Sequence, residues 1–190
     1  MRRVVLYELL SLDGVAEEPG DWMFNVDEAV FDNLARVIER QDAVVLGRGT
    51  YDYWVDYWSG SDVEPFAGFI NRTIKHVLTS RRLSQHWENT VVIDGPVVDY
   101  VTALKQQSGG DIGVHGSITV AQALLRAGLV DQLRLVVAPT LASRGRRLFD
   151  DGQVALRRLE LLDSDRTPTG NLLLTYRIQA GPGDTPPLVG

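Results

Sequence analysis

Apolar positions along this chain follow two rhythms. Short runs of adjacent or alternating apolar residues are separated by longer stretches in which they recur every three or four positions. The first rhythm predicts strands and the second amphipathic helices. Arg3–Leu10 reads as a strand ended at Asp13-Gly14, a pair that favours a turn. A polar loop with Glu17-Glu18-Pro19-Gly20-Asp21 follows. Over Asp27–Arg40, Val30/Phe31, Leu34 and Val37/Ile38 fall on one helical face, and Asn25 with Glu28 resembles a capping box. Ala43–Leu46 is a continuous apolar run, as expected of a buried parallel strand. Gly47-Arg48-Gly49-Thr50 interrupts it before the aromatic-rich Tyr51–Trp58, read as a helix, and Glu64–Arg72 is a shorter helical segment. Ile74–Leu78, Thr90–Ile93, Ile112–His115 and Gln132–Ala138 read as strands; Val97–Gln107 and Ile118–Ala127 read as helices.

Towards the end the pattern changes. Arg158–Leu162 and Leu172–Ile178 alternate polar and apolar residues around the turn Pro168-Thr169-Gly170, which predicts an antiparallel hairpin. Gly181–Gly190 is rich in Gly and Pro and is expected to be a disordered tail beyond a single domain of residues 1–180. Strands alternating with helices predict an α/β fold: a three-layer arrangement with a mixed, mostly parallel sheet flanked by helices and closed by the hairpin. Ligands of such sheets bind beyond the carboxyl ends of the strands.

Composition narrows the chemistry. The 190 residues suit one core, and 44% hydrophobic and 23% charged residues are ordinary for a globular protein. A formal charge of −6 does not favour a nucleic-acid surface. With no cysteine, disulfides, thiolate metal sites and cysteine nucleophiles are excluded. His76, His86 and His115 lack metal-ligand spacing, so no metal site is expected. Val4–Leu10 is too short and too interrupted by Glu8 to read as a signal peptide, and no stretch approaches the ~20 apolar residues of a membrane span. A cytoplasmic protein without membrane contact is the expectation.

Two strand-to-helix junctions could meet a nucleotide. In Val44-Val45-Leu46-Gly47-Arg48-Gly49-Thr50-Tyr51 the glycines allow a phosphate near the backbone, Arg48 adds charge, and the Thr50 hydroxyl can cap the helix or bond a phosphate. The same segment is equally a tight turn with a capping threonine and a solvated arginine. Ile112-Gly113-Val114-His115-Gly116-Ser117-Ile118-Thr119 repeats the design, with Ser117 as a plain helix cap in the simpler reading. Neither carries a full GxGxxG signature or a Walker A lysine.

Taken together, and in order, several segments resemble the dihydrofolate reductase superfamily, and within it the reductase domain of the bifunctional riboflavin-pathway deaminase–reductase. They are Ser11-Leu12-Asp13-Gly14, Trp22, Leu46-Gly47-Arg48-Gly49-Thr50-Tyr51, Leu78-Thr79-Ser80-Arg81, and Val114-His115-Gly116-Ser117 through Gly128-Leu129-Val130-Asp131-Gln132-Leu133. Pro139-Thr140-Leu141 and Gly145-Arg146-Arg147-Leu148-Phe149 complete the set, so the resemblance spans about residues 2–178. It implies a dihydrofolate-reductase-like sheet of about eight strands with NADP(H) across its carboxyl edge. Gly47, Arg48 and Thr50 match pyrophosphate-side contacts, and Ser80 and Arg81 the segment that meets the adenosine 2′-phosphate. Gly116, Ser117, Ile118 and Thr119 match the turn beside nicotinamide and pyrophosphate. The family often has two glycines where this chain has Gly116-Ser117, and the serine side chain is a candidate for crowding the cofactor. The zinc set of the deaminase half is absent.

Reduction by hydride also needs a proton source. Asp27, spaced from Trp22 and Phe31 much as the folate-binding carboxylate of dihydrofolate reductases is, is one candidate; it is also a first-turn residue suited to the helix dipole. Asp13, in the turn that borders the active site in the riboflavin branch, is a second, and also a turn aspartate able to bond local backbone. Glu8 shares one strand face with Val4, Leu6 and Leu10, either at a pocket or in the strand's structural hydrogen-bond network. Trp22 and Phe31 are expected to line a substrate pocket, although Trp22 also suits a loop anchor. Tyr51, Tyr53, Trp54, Tyr57 and Trp58 form a cluster of core or interface type. The expected function is an NADPH-dependent reductase of a pyrimidine- or pterin-like compound, resembling 5-amino-6-(5-phosphoribosylamino)uracil reductase or dihydrofolate reductase. The resemblance also implies a homodimer. A non-catalytic NADP(H)-binding protein and a flavin-dependent reductase are the alternatives.

Overall fold

The computed structural model describes residues 1–149 and 156–179. The tail expected to be disordered lies outside them.

Each apolar run forms a strand: β1 (Val4–Ser11), β2 (Gln41–Gly47), β3 (Ile74–Leu78), β4 (Thr90–Ile93), β5 (Asp111–His115) and β6 (Gln132–Ala138). β7 (Leu159–Arg166) and β8 (Leu172–Ile178) make the hairpin. The helices are α1 (Glu28–Ile38), α2 (Arg48–Trp58), α3 (Phe66–Arg72), α4 (Val97–Lys105) and α5 (Ile118–Arg126). The sheet order is β4-β3-β2-β5-β1-β6-β8-β7, parallel from β4 to β6 and antiparallel in the hairpin. This is the expected three-layer fold.

Alternation along the strands sorts the core into layers. Val4, Leu6 and Leu10 of β1, with Val45, Ile112, Val114, Leu133 and Leu135, pack on α4 and α5. On the other face Val5 and Tyr7 pack with Val30 and Val37 of α1, while Val44, Leu46 and Val77 pack with α2 and α3. No helix among the described residues is long and apolar enough to cross a membrane.

Three local expectations are corrected. Asp27, not Asn25, caps α1: its carboxylate accepts the Val30 N–H at 3.3 Å, whereas the Asn25 carbonyl accepts from Thr169 and Asn171. α2 begins at Arg48, before the aromatic run, because Gly47 is extended (φ −79°, ψ 157°) and the chain turns directly behind it. β7 continues past Leu162 through four polar residues. A register shift between Leu161 and Asp163 and an open outer edge remove the alternation that marks a half-buried strand.

Candidate active site

β3, β2 and β5 are consecutive in the sheet, so their carboxyl-end junctions lie side by side. β1 crosses to β2 through α1 on one face, and β5 crosses to β6 through α5 on the other. The crevice where such crossovers diverge is where ligands of open α/β sheets bind.

The two glycine junctions are tied to each other. Ser117 Oγ accepts the Gly47 N–H at 3.0 Å and donates to Thr50 Oγ1 at 2.8 Å, and Thr50 Oγ1 donates to the Gly116 carbonyl at 3.4 Å. This corrects two expectations. Ser117 makes no side-chain cap bond to α5, and its buried side chain points into the β2–α2 junction. Thr50 is inside α2 and does not cap it. Neither helix start has a side-chain cap, which leaves first-turn amides as donors for an anion. Gly49, Gly116 and Thr119 are exposed at this rim, while Ile118 points into the core and can contribute only backbone. Gly116 has φ +62°, a conformation glycine adopts without strain. A Cβ there would lie 3.1 Å from the Trp54 ring, so Trp54 stands against the turn.

Beyond β3 a cleft of about 840 Å³ is lined by Ser80, Arg81, Arg82 and His86. Thr79 Oγ1 accepts the Arg81 N–H at 3.0 Å and fixes the start of this loop. The Arg81 side chain is exposed, with no hydrogen bond or ion pair among the described residues. Arg48 is engaged: its guanidinium pairs with Asp52 at 2.6 Å and donates to the Arg82 carbonyl at 3.0 Å, joining the two loops.

The three carboxylates separate sharply. Asp13 accepts from Ser11 Oγ (2.7 Å), Ala142 N (2.9 Å) and Ser143 N (3.0 Å), and these bonds, the serine's foremost, pull it down to about 2. Asp27 accepts from Thr169 Oγ1 at 2.6 Å and Thr169 N at 3.1 Å besides its cap bond, and it too is held below its ordinary value, chiefly by the Thr169 hydroxyl. Both therefore fasten the chain locally and stay ionised at neutral pH, which does not suit a proton donor. Glu8 is fully buried, its Oε2 has no hydrogen-bond partner among the described residues, and burial pushes it up to about 8. It lies one residue beyond the Tyr7–His115 register pair, on the α5 face.

The expected substrate residues are also relocated. Trp22 is buried in the α1-side core and donates from Nε1 to the Glu17 carbonyl at 2.8 Å, as a loop anchor does. Phe31 is 37% exposed because the buried stripe of α1 runs through Val30, Val37 and Ile38, leaving Phe31 on the outer side. Tyr53 and Tyr57 are exposed, whereas Trp54 and Trp58 pack against Phe66.

The sequence reading missed a polar cluster on the α1–α3 side. His115, 3% exposed, is bonded to Gln41 Oε1 at 2.8 Å and surrounded by Tyr7, Phe66 and Phe69. Desolvation drives His115 down to about 3, so the ring is neutral and Nε2–H donates to Gln41. The available signal was Tyr7 within the apolar β1, Gln41 just before the apolar run of β2 and His115 at the end of β5.

The three-layer sheet and its antiparallel hairpin are a dihydrofolate-reductase-like fold. The chain belongs to the RibD C-terminal domain family, whose model matches residues 2–173. Among curated proteins it is similar to the uncharacterized YyaP of Bacillus subtilis, 24% identical over 181 residues and covering 92% of this chain and 94% of that protein. YwjB of the same organism, also uncharacterized, is 26% identical over 153 residues, covering 79% and 84%. A putative riboflavin biosynthesis protein from Shewanella superposes with a TM-score of 0.75 at 20% identity, covering 94% of this chain and 99% of that one. A pyrimidine reductase-like protein from Corynebacterium diphtheriae gives 0.69 at 18%, covering 95% and 93%. The deaminase/reductase of Thermotoga maritima gives 0.65 at 14%; the match covers 94% of this chain but 57% of that one.

Proposed function

We propose that this chain is an NADPH-dependent reductase of a small pyrimidine- or pterin-like heterocycle. The observation that carries the reading is the convergence of two helix starts without side-chain caps, α2 and α5, with an exposed Arg81 that has no ion pair among the described residues, on one sheet edge. Membership of the reductase-domain family supports it.

The residues fit a dinucleotide. The backbone of Gly47–Thr50 and Gly116–Thr119 would hold the pyrophosphate, with the hydroxyls of Thr50 and Ser117 fixing the two turns against each other. Ser80 and Arg81 would hold the adenosine 2′-phosphate, for which arginine offers a planar fork of donors. When bound, NADPH supplies the hydride. Of the three carboxyl groups, we assign the proton reservoir to Glu8, which alone keeps its proton near neutral pH.

Loss of NADPH absorbance is the test, with 5-amino-6-(5-phosphoribosylamino)uracil and 7,8-dihydrofolate as substrates. Turnover of one of them is expected, and NADPH binding without turnover of either would favour a non-catalytic binding protein. Arg81→Ala is expected to weaken NADPH about ten- to a hundredfold and to leave NADH nearly unchanged. Equal weakening of both cofactors would show that Arg81 does not read the phosphate.

A further inference from the structure

The cleft beyond β3 is walled by a loop that is pinned along its length. Thr79 Oγ1 accepts the Arg81 N–H at 3.0 Å, and the Arg82 carbonyl accepts from Arg48 at 3.0 Å. Ser84 and Gln85 turn their side chains to α2, donating to Asp52 at 3.3 Å and to Asp56 at 2.5 Å. The Gln85 carbonyl accepts the Tyr51 hydroxyl at 3.1 Å, and the buried Trp87 donates from Nε1 to Asn71 Oδ1 at 2.7 Å. His86 is therefore held between two fixed residues. It is exposed and lines the same cleft as Arg81 and Arg82, with no hydrogen bond or ion pair of its own among the described residues.

Charge decides what this cleft can take. The charged or chargeable groups of its wall are Arg81, Arg82, His86 and Asp94. The α2 carboxylates behind the loop are engaged, Asp52 by Arg48 at 2.6 Å and Asp56 by Gln85. Glu88, two residues past His86, is not part of the wall. Two guanidinium groups against one carboxylate leave a single positive charge, short of what balances a phosphate dianion. A protonated His86 supplies the second, and both of its ring nitrogens are then donors. The net charge of −6 over the whole chain gives an anion no other help.

We propose that His86 is a further residue that reads the adenosine 2′-phosphate, and that it makes the affinity for NADP(H) depend on pH. Histidine is the side chain that ordinarily gains and loses its charge between pH 5 and 8. On the acid side of that range the cleft meets the phosphate with three cations, and on the alkaline side with two. By linkage, binding of the dianion favours protonated His86, so the complex takes up a proton. A cofactor without the 2′-phosphate is indifferent to this. The inference rests on the NADP(H) reading of this edge and adds the regulation of its phosphate subsite.

The test titrates 2′,5′-ADP, which carries the 2′-phosphate without the nicotinamide, and AMP, which lacks that phosphate. Both go into the wild type, His86→Gln and His86→Lys at pH 6 and pH 8.5. A phosphate monoester loses its own second proton near pH 6, so the wild-type change is read against that of His86→Gln. From pH 6 to 8.5 the wild type is expected to lose about three- to tenfold more affinity for 2′,5′-ADP than His86→Gln does. At pH 8.5 those two proteins should bind it equally, and His86→Lys should bind it tightly at both pH values. AMP should show no such difference. Equal pH changes for the wild type and His86→Gln would overturn the proposal, as would a gap of the same size with AMP. Failure of 2′,5′-ADP on protein that binds NADPH would overturn this proposal alone, whereas failure of both ligands would overturn the NADP(H) reading with it.

Discussion

Raising the pH from about 4.5 to 8 is expected to destabilise the wild type relative to Glu8→Gln by roughly 4 kcal/mol. The Glu8 carboxyl ionises near its ordinary 4.5 in the unfolded chain and only near 8 in the fold, because its burial disfavours the charge. Between those values the folded state holds a proton that the unfolded state has released, so stability falls as pH rises. The contribution is fully present below the unfolded value and lost above the folded one. His115 works in the opposite sense. Its folded value of about 3 lies below its ordinary 6.5, so its contribution grows as pH rises through that window. The two slopes oppose each other from about 4.5 to 6.5, which predicts a plateau in the wild type, then a decline to pH 8 from Glu8. Asp13, Glu17 and Asp27, all held below their ordinary values, steepen only the acid limb. Urea unfolding across pH 4–8 is the measurement. Wild-type and Glu8→Gln curves that stay parallel would show that Glu8 ionises in the fold as it does in water.

Gly113→Ala is expected to cost about 2–4 kcal/mol, combining overpacking with loss of a buried hydrogen bond. A Cβ at this position would sit 2.1 Å from Gln41 Oε1 and 2.8 Å from both Gln41 Cδ and His115 Nε2. Both side chains are buried and bonded to each other, so neither can retreat without breaking that bond. Gly49→Ala is the matched control. A Cβ there meets nothing within 4 Å, and the position lies in α2, where alanine is favoured over glycine by up to about 1 kcal/mol. Chemical denaturation of both variants decides the matter. Equal stabilities would mean that the space at Gly113 is not needed for Gln41.

The contrast between these glycines shows what a linear reading can reach. Val44–Leu46 and Ile112–His115 are legible as buried strands because a parallel strand covered on both faces must be apolar almost throughout. The glycine-bearing junctions are legible for the same reason: each follows such a run directly. Gln41 and His115 are 74 positions apart, and their bond depends on strand register and on a register shift between Gln41 and Ala43. No local pattern encodes that. The Ser117 hydroxyl likewise turns towards Gly47, 70 residues away, instead of back onto its own helix. Asp27 shows the converse. Its position before α1 permitted both a ligand contact and a cap, and the choice was made by Thr169, which the hairpin turn brings from 142 positions away. Glu8 was legible as an anomaly, a carboxyl on an apolar strand face, but its missing partner was not.

The central claim is that the edge formed by β2, β3 and β5 holds NADP(H), and melting with added cofactor tests it most directly. A ligand that binds only the folded state stabilises it by RT ln(1 + [L]/Kd), about 2.7 kcal/mol at a hundredfold excess over Kd. For a chain of this size that corresponds to roughly 5–10 °C. NADPH is expected to raise the melting temperature in a saturable way, with NADH giving a smaller shift at equal concentration. An unchanged melting temperature at millimolar NADPH would contradict the account.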